Sequence, residues 1–201
     1  EARALAQLSA SLSMAPAGPK QSIQHLAFHQ DASVAGPVLA RSSSLSDGDL
    51  IEIANSRGQQ HLLAISTRVA LDEAVTDVLI ERGDNKVVHS LAQNTGARFS
   101  EAGFSTLVDK AGSDDTLAEK LGLRADITIG LLRNLLARAS EAVKARLLNA
   151  APPELIEKMR AAIDSIVEEI GGKRYVHLRV TFDPAVHEAL GKTLMQGIGE
   201  L

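Results

Sequence analysis

An all-α fold, arranged as an α-solenoid of short helix pairs stacked side by side, is what three features of this 201-residue sequence predict. Hydrophobic residues make up 45% of the chain and aromatic residues only 2%, with no Trp, so the core must be assembled from Leu, Ile, Val and Ala. Such side chains suit closely packed helices. An apolar residue followed directly by a good helix N-cap recurs at Leu45-Ser46, Leu71-Asp72, Phe99-Ser100 and Ile127-Thr128, the caps lying 26, 28 and 28 residues apart. Seven and eight residues after the caps stand Ile53 and Ala54, Leu79 and Ile80, Leu107 and Val108, and Leu135 and Leu136. Four residues after them stand Leu50, Thr76, Phe104 and Leu132, of which Thr76 alone departs from the pattern. Offsets of 4, 7 and 8 from a cap mark the inward face of a short amphipathic helix.

Each element follows from this period. Residues 1–18 read as an N-terminal capping helix and linker, and residues 19–151 as the repeats. Pro19 lies 27 residues before Ser46 and carries Ile23, Leu26 and Ala27 at the same offsets. Pro is tolerated in a first helical turn because that amide has no intrahelical partner. Ser, Asp and Thr oxygens accept bonds from the orphan amides of that turn, and the apolar residue before the cap can staple it. A shorter apolar segment precedes each capped helix, opening at Val34, Leu62, Val87 and Leu117, so the turns vary in length while the helices persist. A pair that cannot bury both faces alone needs neighbours to complete its core. The unit of about 27 residues is shorter than HEAT or armadillo units of roughly 40, hence HEAT-like with short helices.

The C-terminal third differs. Ile156, Met159, Ile163, Ile166 and Ile170 are spaced 3, 4, 3 and 4 in a long capping helix over residues 152–171. Two heptads fall short of a coiled coil, so capping of the last repeat and a self-association seam both stand, and a homodimer through this segment is one expectation. In residues 172–201, Val176, Leu178, Val180 and Phe182 alternate with Tyr175, His177, Arg179 and Thr181. That period predicts an extended segment lying on the solenoid or pairing with a second chain. Asp183-Pro184 then opens a terminal helix, and "GIGEL" reads as entry into further structure. The chain starts without Met and shows no signal-peptide pattern, and it is expected to be a cytoplasmic piece of a longer protein.

The segments "DASVAGPVLARSSSLSDGDLIEIA", "HLLAISTR", "LDEAVTDVLIERGDNKVV", "NTGARFSEAGFSTLV" and "LAEKLGLRADI" resemble a mainly alphaproteobacterial family of uncharacterised proteins, the domain of unknown function numbered 2336. The resemblance runs from about Ala15 to Leu148 and thins beyond. It implies a helical-repeat fold within a longer intracellular protein, and it implies no reaction and no catalytic residues.

Composition narrows the chemistry. There are no cysteines, which excludes disulfides and thiolate metal sites. The net charge of −4, from 21 basic and 25 acidic residues, disfavours nucleic acid as a partner. No apolar run approaches the roughly 20 residues that span a bilayer. No Ser occupies a G-x-S-x-G elbow and no Gly-rich phosphate loop is present, so neither an enzyme nor a cofactor is expected.

The remaining candidates are polar residues that recur. Arg41, Arg68, Arg98 and Arg124 stand once per unit, each in the turn before a cap. They read as a structural ladder, each guanidinium bonding helix-end carbonyls or a carboxylate, or as an edge that binds an anionic or acidic partner. His61 and His89 both precede a cap by eleven residues and could flank a groove or sit half-exposed on matching helices. His25 and His29 share i, i+4 spacing, yet no third metal ligand follows. Asp114 and Asp115 look like paired carboxylates but fit the polar start of a helix. The tripeptide Arg82-Gly83-Asp84 reads as a turn between units. The leading expectation is a protein-interaction scaffold binding another protein on a solenoid surface. The alternative is a nucleic-acid or anionic-ligand binding module that uses the turn arginines.

Overall fold

The computed structural model describes residues 2–15 and 19–170, with side chains described up to residue 164 in the last helix. Among these residues the chain is all-α. The twelve helices among the described residues are α1 (Ala2–Ser13), α2 (Lys20–Ala27), α3 (Ala32–Arg41), α4 (Asp47–Ser56), α5 (Gln59–Ser66), α6 (Glu73–Arg82), α7 (Asn85–Gln93), α8 (Glu101–Ala111), α9 (Asp115–Gly122), α10 (Ile129–Arg138), α11 (Glu141–Ala150) and α12 (Pro153–Ile170). The alternating segment 172–183 and the terminal helix expected after it lie outside the described residues.

Local chemistry starts these helices where the capping pattern places them. Ser46 caps α4 in a full capping box, its oxygen accepting from the Asp49 amide while Asp49 accepts from the Ser46 amide. Asp72, Ser100 and Thr128 cap α6, α8 and α10 with their side-chain oxygens. Asp84, Asp114 and Ser140 do the same for α7, α9 and α11. Each bond satisfies an amide that would otherwise lack a partner, worth about 1 kcal/mol. Every residue at offset 4, 7 and 8 from the four repeated caps is buried. Thr76, the polar exception, is fully buried because its hydroxyl lies 2.6 Å from the Arg98 carbonyl oxygen and 3.0 Å from that of Glu73.

Packing skips one helix at a time. In one row α1, α3, α5, α7, α9 and α11 each pack on the next member; in the other, α4, α6, α8, α10 and α12 do so. Consecutive helices such as α4 and α5, α6 and α7, and α8 and α9 join the rows. Gln24 of α2 reaches α4 by donating to Asp49 at 3.0 Å. One apolar core, built from Leu, Ile, Val and Ala with Phe104 as its aromatic member, runs from Ile23 to Ala162. In α12 the inward line is Leu155, Met159 and Ala162, with Ile163 packed at its side. Met159 is thus inside the chain's own core and Ile156 is half-buried, while the side chains of Ile166 and Ile170 are outside the described set.

Candidate functional site

The turns between helices form the most regular polar feature of the molecule. Carbonyl oxygens there fall beyond the helical ladder and need donors. The donor comes from the following turn in three cases and from α12 in the fourth. Arg68 donates to the Leu39 and Ser42 oxygens at 2.6 and 2.9 Å. Asn94 donates to the Ser66 and Arg68 oxygens at 2.9 and 2.7 Å. Arg124 donates to the Asn94 and Ala97 oxygens at 2.7 and 2.9 Å, and Lys158 to the Ala125 oxygen at 2.9 Å. A short parallel bridge adds to the middle joint: the Leu71 amide donates to Gly96 O and the Arg98 amide to Leu71 O. The turns α3–α4, α5–α6, α7–α8 and α9–α10 are each clasped from the C-terminal side in this way.

The four arginines therefore have three different roles. Arg124 is 7% exposed, pairs with Asp126 through two contacts at 2.8 and 2.6 Å, and stacks 4.5 Å over the Phe99 ring. Arg68 is half-buried, and burial pulls its guanidinium below the usual arginine range while Asp47 pulls it back. Arg98, with 71% of its side chain exposed, reaches Asp72 and Glu73 only at 3.6 Å. Arg41 is exposed in the last turn of α3. The equal spacing in the sequence hides this division because Asn94 occupies the clasping place in its unit. Arg68 and Arg124 follow their helices at one residue beyond the C-cap, whereas Asn94 is itself the C-cap of α7 and the turn after it is longer. Arg98 sits in that extension and points outward. Asn94 and Lys158 are the clasping residues that a search for one recurring residue type does not find.

The histidines separate in the same way. His61 is 4% exposed and its Nε2–H donates to the His29 carbonyl at 3.0 Å, so it ties α5 to the α2–α3 turn. His89 lies 2.7 Å from Asp114 through Nε2, and its Nδ1 faces the Lys120 ammonium at 3.4 Å. A His–Asp pair at this distance is a component of general-base chemistry, yet here both ring nitrogens are engaged and the other Asp114 oxygen caps α9 by accepting from Leu117. Burial works to raise the Asp114 carboxyl, but the Leu117 amide and the bond and charge of His89 outweigh it and hold the group below the usual range. The matching sequence positions of His61 and His89 do not become a shared groove: one looks back to α2–α3 and the other forward to α9. Arg82-Gly83-Asp84 is a turn clamped by Gln59, whose amide donates to Arg82 O and accepts from the Asp84 amide.

His25 and His29 line a surface cleft of about 340 Å³ together with Phe28, Gln30 and Arg57. Among the described residues no group of three or more His, Asp or Glu side chains could hold a metal ion, and no helix is long and apolar enough to cross a membrane. A family model described as an uncharacterised protein conserved in bacteria, domain of unknown function 2336, matches residues 34–191. The chain belongs to this family. No curated protein and no solved structure matches it. The DUF2336 span opens inside α3 and contains Arg68, Asn94, Arg124 and Lys158, so the whole series of clasps lies within it. The span begins later than Ala15 and reaches past Leu148 to include "GGKRYVHLRVTF", which corrects both bounds of the resemblance seen in the sequence. Of the cleft residues, only Arg57 falls inside DUF2336.

Proposed function

We infer that this chain is a protein-interaction scaffold built as a HEAT-like solenoid of short helix pairs, with the turn edge as its binding surface. The observation that carries this reading is the series of clasps. An array whose turns are bonded to their neighbours presents side chains at fixed spacing, and a surface fixed before binding loses less entropy on association. Between the clasps the edge exposes Arg41, Arg98 and Val69, the last 92% exposed at a turn tip beside Gly96. Arginine is among the residues that protein interfaces favour. The reading of an anionic-ligand or nucleic-acid module has less to draw on, because the guanidiniums of Arg68 and Arg124 are committed to carbonyl oxygens and the net charge is −4.

The test is capture of partners from the native host with tagged full-length protein, comparing wild type with Arg41→Ala/Val69→Asp/Arg98→Ala. A partner retained by wild type and lost by the triple variant, at unchanged melting temperature, supports the reading. A partner retained equally by both places the binding surface elsewhere.

A further inference from the structure

The cleft at the ends of α2 and α4 has a chemistry that the scaffold reading does not use. Its polar lining consists of groups that can donate hydrogen bonds: His25, His29, Gln30 and Arg57. His29 Nδ1 accepts from the Asp31 amide at 3.0 Å, which leaves the ring proton on Nε2, so His29 is a donor there even when neutral. Arg57 spends one terminal nitrogen on the Phe28 carbonyl, and its buried Nε has no hydrogen-bond partner among the described residues. An unmatched guanidinium N–H is costly to bury, and a bound oxyanion would satisfy it. Opposing this, the C-termini of α2 and α4 flank the cleft with about half a negative charge each. The full charge of Arg57 and its bond to Phe28 O offset them. Asp31, two residues beyond His29, caps α3 by accepting from the Ser33 amide, and its charge also acts on His29 and His61.

We propose that the His25–His29–Arg57 cleft is a binding site for a compact oxyanion of the phosphate class. The cleft opens to solvent and, at about 340 Å³, has room for a phosphate carried on a small molecule or on a modified side chain. The site rests on the cleft alone and stands independently of the turn edge. His25, His29 and Gln30 precede the matched family span of residues 34–191.

Titration of the 201-residue chain with inorganic phosphate, glycerol phosphate and a phosphoserine pentapeptide tests it, read by the nitrogen shifts of the Arg57 side chain and the two imidazoles. A saturable shift at all three groups is expected with at least one probe. Binding should weaken about tenfold in His25→Gln/His29→Gln and in Arg57→Lys, which keeps the charge but loses the fork. Arg41→Gln should leave it unchanged. Tighter binding of the pentapeptide assigns the phosphate to a modified partner, and tighter binding of glycerol phosphate assigns it to a free metabolite; both support the site. No saturable shift with any probe, or equal shifts in the double-histidine variant, overturns it. The double-histidine variant keeps the test valid if Arg57→Lys does not fold, since exposed His25 and turn residue His29 lie outside the core.

Discussion

Replacing Arg124 with alanine should destabilise the chain more than any other substitution at the turn edge. The loss strips donors from the Asn94 and Ala97 oxygens, frees Asp126, and removes the cation from the Phe99 ring. Ala97 is itself 1% exposed, so little water can replace the missing bond. Charge-assisted bonds contribute about 1.5–3 kcal/mol each, so losing those to the two carbonyl oxygens costs about 3–6 kcal/mol, while Asp126, with 49% of its side chain exposed, is re-solvated and adds little. For a chain of this size that corresponds to a fall in melting temperature of about 10 °C. Arg98→Ala is the internal control: its contacts are long and solvated, and the change should stay within about 0.5 kcal/mol. Urea titrations of the two variants beside wild type decide the matter. Arg124→Lys should recover little, because a point charge cannot reach the carbonyls, Asp126 and the ring at once. Equal midpoints for Arg124→Ala and wild type, or an equal loss in Arg98→Ala, would refute the assignment of the clasp.

Other outcomes follow from the same contacts. Asn94→Ala removes the donor to Ser66 O and Arg68 O, and should cost about 2 kcal/mol by urea denaturation. Gly96→Ala would set a Cβ 1.8 Å from the Val69 carbonyl oxygen, so the turn must open and the Leu71–Ala97 bridge should be lost from amide-exchange maps. The Asp31, Asp49 and Asp114 carboxyls are all held below their usual range in the folded chain. Their stabilisation is complete above the unfolded value of about 3.9 and is lost as pH falls through the lower folded values. The urea midpoint should therefore drop below about pH 4, less steeply in Asp114→Asn.

Capping and core positions could be read from the residues because both depend on local spacing. Ser46, Asp72, Ser100 and Thr128 act within one turn of chain, and the offsets of 4, 7 and 8 follow from helix geometry alone. The clasps depend instead on what lies about 26–33 residues away, where a one-residue change in turn length decides which side chain arrives. Hence Arg98 matches Arg68 and Arg124 in sequence but Asn94 matches them in contacts. Lys158 was hidden for another reason: it lies on α12, where attention falls on the apolar seam. Thr76, which the pattern marks only as a departure, keeps its apolar slot because its hydroxyl bonds across to the Arg98 oxygen in the α7–α8 turn.

Amide hydrogen exchange at the turns tests the fixed edge most directly. If the α5–α6 and α7–α8 turns are clasped, the amides of Leu71 and Arg98, which bond across the joint, should exchange as slowly as those inside α6 and α8. Exchange at Leu71 and Arg98 as fast as in open loops, with the helices still protected, would contradict a preformed edge and the scaffold built on it.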